Sequence, residues 1–387
     1  MTHELPAFHP QRLTEARVAE GLTMAALAAK VGLSPQAVSA YENGTRTPTA
    51  EALSQLARAL GTSIAYFKEE RPFPVIAESA VFFRSTASAR TRRNQEKRKQ
   101  QATWAYEISA WLDRFVALPE FSGATFWRTD IADGFATPQE HTEESIEEVA
   151  MMLRSAWSMG TGPIPDLVAL LESHGIRVIR QSSGSGKLDA FSRIVNARPM
   201  IFLSSDKEAG ARSRFDAAHE LGHLLLHPHL SMDEVSNPQI LKQIETEANL
   251  FAGAFLMPES SFSREIHGVT LGAFLAMKPR WKLSAQAIIR RCFNLGAIDG
   301  VQYQRLCVDI SARGMRRNEP YDDQIPPEEP SVLRRAWELL VEHRVVSRHQ
   351  IADELLLPPN FIASTMGVAP ESFETGNIIN LEFRGQC

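Results

Sequence analysis

Cysteine is scarce in this sequence. The three present, Cys292, Cys307 and Cys387, lie late in the 387 residues, are odd in number and form no CxxC pair. That pattern fits reduced thiols in a cytoplasm better than a disulfide frame. Long apolar runs are missing too. No stretch approaches the roughly 18 uninterrupted apolar residues that a membrane span needs, and the opening MTHELPAFHP has neither a basic start nor an apolar core. These absences point to a cytoplasmic protein without a membrane partner. Nor is there an excess of positive charge: 41 basic against 46 acidic side chains give a net charge of −5. A wholesale polyanion binder is excluded, so any nucleic-acid surface has to be local. The rest is ordinary for a soluble globular chain, and the length suffices for two or three domains with their own cores.

What the sequence does have begins with TMAALAAKVGLSPQAVSAYENGTRTP at residues 23 to 48. Thr23 suits the cap of a helix whose Ala26, Leu27 and Val31 form an apolar stripe, and Gly32 suits its end. Ser34 and Pro35 open a second helix almost at once, with Val38 and Tyr41 facing inward and Gln36, Ala37, Ser39 and Ala40 outward. Two helices joined by a short turn containing Gly, the second with small and amide side chains outward, meet the needs of helix-turn-helix readout. The stretch from about Arg12 to Phe67, including YENGTRTPTAEALSQLARAL, resembles the Xre, or lambda-repressor-like, helix-turn-helix family. The resemblance implies that residues 34 to 42 enter the major groove of an operator in double-stranded DNA, Ser34 opening the helix and Gln36 and Ser39 reading bases, while Asn43, Thr45 and Arg46 touch phosphate. Residues 34 to 42 hold no Lys or Arg, and residues 1 to 68 hold six basic and five acidic side chains, so affinity from this domain alone is expected to be modest.

A linker follows. Between Arg84 and Lys99 stand seven basic residues and one acid, Glu96, a run that either adds phosphate contacts or forms the solvated face of a helix. The helix reading is supported by Trp104, Ile108, Trp111, Leu112 and Phe115 at helical spacing. That long helix is expected to join the DNA reader to the rest and to offer a dimer contact, which would suit a homodimer on a two-fold operator.

Farther on, residues 143 to 160 and PIPDLVALLESHG read as helices, followed by strand-like runs at 176–180, 189–195 and 199–205. A helix beginning near Glu208 then carries FDAAHELGHLLLH. On a helix, His219 and His223 share one face and can offer two imidazoles to one ion, with Glu220 placed to reach a water on it. Zinc hydrolysis needs a third protein ligand. His229 stands at the offset used in HExxHxxGxxH enzymes, but Leu226 occupies the slot where those need Gly. His227 lies two turns from His219, roughly 12 Å by helix rise, too far to share an ion, and reads as a charge partner of the helix C-terminus. The better source is KQIETEANLFAGAFLMP, where Glu245 is the preferred ligand, Glu247 the alternative, and Asn249 can accept a hydrogen bond from His219.

The runs SRFDAAHELGHLLLH and ETEANLFAGAFLMP, with LDAFS, IFLSS and RWKLSAQAIIRRCFNLGAI, resemble the ImmA/IrrE-type metallopeptidases over roughly residues 165 to 320. The resemblance implies a zincin-like fold, one Zn2+ held by His219, His223 and Glu245, Glu220 as general base and acid, and a repressor or antitoxin-like protein as substrate in a stress or phage response. The strand PMIFLSS is expected to present an edge to an extended substrate, and His174, His227, Arg212 and Arg214 are candidate oxyanion donors. A second reading is a transcription factor whose zincin-like domain senses a ligand or peptide without hydrolysis. After NEPYDDQIPPEEP, residues 331 to 368 read as helices of a docking or sensing module, with VVSRHQIADELLLPPNFIASTMG a faint second helix-turn-helix. The fold class expected is therefore mainly α with a small β-sheet: a helix-turn-helix domain at 1–70, a basic linker and long helix at 71–140, a zincin-like domain at 141–320 and a helical module at 321–387.

Overall fold

The computed structural model describes residues 8–74, 89–121, 141–182, 190–206, 209–228, 230 and 232–373. They form a mainly helical protein with one three-stranded sheet, divided by contact into two compact units. Among the described residues, the first takes the chain up to Pro74, residues 89–117 and everything from Leu333; the second takes Leu118 to Val332.

In the first unit, α1 (Pro10–Ala19), α2 (Met24–Val31), α3 (Pro35–Glu42) and α4 (Ala50–Leu60) are short and locally punctuated. Thr23, Ser34 and Thr49 each hold extended backbone, and their hydroxyls accept from Ala26, Ala37 and Ala52 N–H at 3.0, 3.1 and 3.2 Å. Gly32 ends α2 at φ 67°, a left-handed conformation glycine adopts without steric cost. The buried stripe of α2 is Leu27, Ala28 and Val31; Ala26, expected in it, is exposed. Ala28 and not Ala26 completes the face because it lies three residues before Val31, on the same side of the helix, whereas Ala26 lies five before it.

The long helix α5 (Ala89–Asp113) packs against α1. Its Trp104, Ile108 and Trp111 are buried inside the unit. The helices after residue 333, α13 (Val332–Glu342), α14 (Gln350–Leu355) and α15 (Pro359–Met366) in the numbering used below, supply the cover: Trp104 meets Phe361 edge to face at 5.2 Å, and Trp111 donates to Glu354 at 2.8 Å. The apolar face of α5 is thus covered within the chain. Part of the basic run lies outside the described residues; Arg92 and Arg93 are exposed on α5. Beneath α5 a polar knot links Arg12 to Glu15 at 3.1 Å, Arg71 to Glu15 at 2.5 Å and Arg71 to Glu107 at 3.3 Å. Burial pushes the Glu107 carboxyl up to about 7 against the pull of Arg71 and Arg12.

The second unit starts with α6 (Glu143–Ala156) and α7 (Leu167–Ser173), then β1 (Arg177–Gln181), β2 (Ala190–Val195) and β3 (Arg198–Ser204). Strand order is β1-β3-β2, with β1 parallel to β3 (Ile179 beside Phe202) and β2 antiparallel to it (Ser192 beside Ile201). Helices α8 (Gly210–Leu226) and α9 (Pro238–Leu256) follow, with α10 (Leu271–Trp281), α11 (Ala285–Asn294) and α12 (Gly300–Ala312) behind them. One apolar core joins these elements, from Ile146 and Leu153 through Ile201 and Leu221 to Phe251, Trp281 and Ile288. Two glycines set the approach of α8. At Gly210 a Cβ would overlap the carbonyls of Ile325 and Pro326, and at Gly222 it would lie 3.1 Å from the Phe251 ring and 3.2 Å from Ala248 Cα. Gly222 therefore lets α8 and α9 cross closely, and the candidate site lies at that crossing.

Candidate metal centre

Helix α8 carries His219 and His223 one turn apart with Glu220 next to the first, all buried although polar. Buried polar groups require partners, and α9 and β2 provide them. His219 Nε2 and His223 Nε2 are 3.1 Å apart. Glu245 of α9 straddles them, Oε2 3.5 Å from His219 Nε2 and Oε1 3.5 Å from His223 Nε2. Tetrahedral zinc with bonds of roughly 2.0–2.1 Å requires ligand atoms about 3.3 Å apart. Two imidazole nitrogens and a carboxylate with these separations could hold such an ion.

The surroundings fix each member. Asn249, one turn beyond Glu245, places Oδ1 3.2 Å from His219 Nδ1 and donates to the Glu245 carbonyl at 2.6 Å. His223 Nδ1 faces His227 Nδ1 at 3.1 Å, and His227 Nε2 meets Glu247 Oε2 at 2.9 Å. Glu247 also accepts from Gln243 at 2.8 Å and lies 3.8 Å from His141. The alternative carboxylate Glu247 is thus engaged with His227, whereas Glu245 meets both motif histidines. His227 is not the helix-end charge expected of it: burial lowers its pKa, with Glu247 only partly offsetting this. His229 lies outside the described residues.

Electrostatics follow from burial. His223 is pushed down to about 3, mainly by desolvation, so its ring is neutral and can offer a lone pair. Burial alone would raise Glu245, but the bonds from His219 and His223 outweigh it and hold the carboxylate below its usual range. Glu220 moves the other way. Desolvation lifts it to about 7, against the pull of His219 and of the Ser192 hydroxyl, which donates to Oε2 at 2.7 Å. A carboxyl poised near neutrality beside the histidine pair can both take and return a proton.

Residues 171–293 match the peptidase family of IrrE N-terminal-like domains. Residues 13–67 match a helix-turn-helix family. The chain therefore joins a region similar to helix-turn-helix domains to an IrrE-like metallopeptidase-type domain, and the whole crossing of α8 and α9 falls inside the second match. A comparison with curated proteins finds no match. No helix among the described residues is long and apolar enough to cross a membrane.

Within the IrrE-like domain, the sheet departs from expectation. The strand 199–205 was expected to present an edge, yet β3 is the central strand and pairs on both sides. The edge beside α8 belongs to β2, whose Ser192 reaches Glu220. Three expected oxyanion donors are committed elsewhere: Arg214 to Glu328 and the Ile164 carbonyl, His227 to Glu247, and His174 to a stack on Trp157 at 4.3 Å. Sequence reasoning missed Ser192 and His141. Ser192 had one usable signal, a hydroxyl among the apolar residues of a short buried strand, which implies a partner.

In the helix-turn-helix region, Ser34, Gln36, Asn43, Thr45 and Arg46 are exposed and Ser39 is half-buried. Asn43 donates to Ser39 Oγ at 3.3 Å and Thr45 to the Ala40 carbonyl at 3.1 Å, which sets the loop after α3. Arg17 clamps Glu42 through two bonds of 2.5 and 2.8 Å, so the only acid of α3 faces away from the exposed side chains.

Proposed function

We propose that this protein is a DNA-binding regulator with a zinc-dependent endopeptidase domain, cutting a repressor or antitoxin-like protein near the operator that its helix-turn-helix region reads. The observation that carries the reading is the pair of imidazole nitrogens 3.1 Å apart, each 3.5 Å from one oxygen of the Glu245 carboxylate, with a buried carboxyl held near neutrality beside them. His219, His223 and Glu245 would hold the ion, and Asn249 and His227 would orient the two rings. Bound zinc would supply Lewis acidity, polarising the scissile carbonyl and acidifying water.

The chain's own residues do the rest. Glu220 takes the proton from the attacking water and returns it to the leaving amine, a cycle its raised pKa permits at neutral pH. Ser192 holds Glu220 in place while doing so. An extended substrate would lie along the edge of β2, where main-chain pairing gives affinity with little demand on sequence. On the DNA side, Ser34, Gln36 and Ser39 would face bases while Asn43, Thr45 and Arg46 contact phosphate.

The test is Glu220→Gln, an isosteric change. The zinc-loaded wild type should cut a peptide library prepared from a denatured proteome, and the variant should lose at least about a hundredfold in rate while keeping zinc content and operator binding. Wild-type protein that holds zinc and shifts its operator but cuts nothing would replace this reading with a ligand sensor.

A further inference from the structure

A cleft of about 550 Å3 opens in the second unit beside the metal centre. Asn249, which touches His219, lines it, as does Asp216, one turn before Glu220 on α8. The cleft therefore lies against the groups that support the candidate site, on the Asn249 side of His219. Its wall carries Arg212, Arg290, Arg291 and Arg316, with Phe215 as an apolar side.

Three of these arginines differ from others in the same unit. Arg214 pairs with Glu328, Arg280 with Glu265, Arg291 with Glu147 and Arg313 with Asp309. Of the four on the cleft, Arg291 is thus neutralised by Glu147, while Arg212, Arg290 and Arg316 have no carboxylate partner among the described residues. Arg212 donates to the Arg317 carbonyl, Arg316 to the Ser311 hydroxyl at 2.8 Å, and Arg290 rests over the rings of Phe293 and Tyr303 at 5.4 and 5.7 Å. Arg290 and Arg316 are exposed. Guanidinium groups that outnumber the one carboxylate of the lining, Asp216, around a concave, partly apolar space focus a positive potential, and their planar donors match carboxylates two bonds at a time. The volume suits a few side chains, and the cleft neighbours the candidate site through Asn249 and Asp216.

We propose that this cleft selects acidic side chains, Asp or Glu, on the substrate peptide next to the bond that is cut. The proposal rests on the peptidase reading for its position but on the arginines for its chemistry. The overall charge of −5 makes a positive pocket of this kind a local feature and not a reflection of the whole surface.

Binding and cutting are tested separately. Three fluorescent dodecapeptides, identical except for four central residues that are all Glu, all Gln or all Lys, are titrated into zinc-loaded full-length E220Q. At about 50 mM salt, the Glu probe should bind about tenfold more tightly than the Gln probe. The double reversal Arg290→Glu with Arg316→Glu should remove that preference and favour the Lys probe, with zinc content and melting temperature unchanged. Arg290→Lys with Arg316→Lys guards against loss of fold and should retain a reduced preference. Equal binding of Glu and Gln probes, or a preference untouched by reversal, overturns the proposal. Wild-type enzyme is then mixed with the same probes. Selective binding of the Glu probe without cleavage keeps the cleft and removes the peptidase reading; cleavage without charge preference does the opposite.

Discussion

Gly222 makes the geometry of the proposed metal centre testable without touching a candidate ligand. In Gly222→Ala the new methyl would stand 3.1 Å from the Phe251 ring and 3.2 Å from Ala248 Cα. Comfortable carbon contacts are about 3.5–4.0 Å, and Ala248 Cα is backbone, so α9 must retreat by about half an ångström. Glu245 lies three residues before Ala248 on that helix and moves with it, stretching separations that are now 3.5 Å away from the roughly 3.3 Å that tetrahedral zinc requires. Zinc affinity should fall about ten- to hundredfold, the scale of losing a ligand's support. Stability of the metal-free chain responds to opposed terms. Alanine in a helix interior gains about 1 kcal/mol over glycine, whereas overpacking costs about 1–3 kcal/mol, so a net loss of up to about 2 kcal/mol is expected. Competition against a chromophoric chelator reads the affinity, and melting in excess chelator reads the stability. Wild-type zinc affinity in the variant would refute the claim that helix separation sets the site.

Two further predictions concern carboxylates. Glu245→Gln should leave purified protein with little bound zinc, while Glu247→Gln should keep a full equivalent held about ten- to hundredfold more weakly, both read by metal analysis after dialysis; equal loss from the two would undo the assignment. In the first unit, the buried Glu107 carboxyl sits at about 7 against an ordinary 4.5, so the fold favours its protonated form. Its stabilisation is complete below about pH 4.5 and disappears as pH rises through about 7, a swing of roughly 3 kcal/mol. Hydrogen exchange of α1 and α5 amides should therefore accelerate between those pH values in the wild type and stay flatter in Glu107→Gln; an unchanged slope would show that Arg71 and Arg12 already neutralise the site.

What could be read from the chain was whatever is decided locally. Thr23, Gly32, Ser34 and Pro35 mark helix ends through hydrogen bonds within three residues, and the HExxH spacing puts two imidazoles on one face whatever the fold. The phase of α2 slipped by one position because MAALAAKV is apolar nearly all round, so periodicity alone cannot choose Ala28 over Ala26. Strand order was out of reach: that β3 lies between β1 and β2 depends on pairings across loops, and three short apolar runs carry no record of it. The fate of the α5 apolar face was equally hidden. Amphipathic spacing states that Trp104 and Trp111 are covered, but their cover comes from Phe361, Glu354 and Trp337, over two hundred residues away.

The choice between Glu245 and Glu247 shows why burial is a poor guide to ligands. Glu247 is the more buried, its side chain 6% exposed against 17% for Glu245, and a rule that ligands are buried would select it. Two residues apart on a helix, the pair point about 200° away from each other, so only one can face α8's histidine pair. A site that performs hydrolysis must keep a corner open to water and substrate, which the half-buried carboxylate allows. The deeper one is used to hold His227 against His223. In the proposed metal centre, position relative to the imidazoles together with retained access favours Glu245 as the ligand, and depth favours Glu247 as its support.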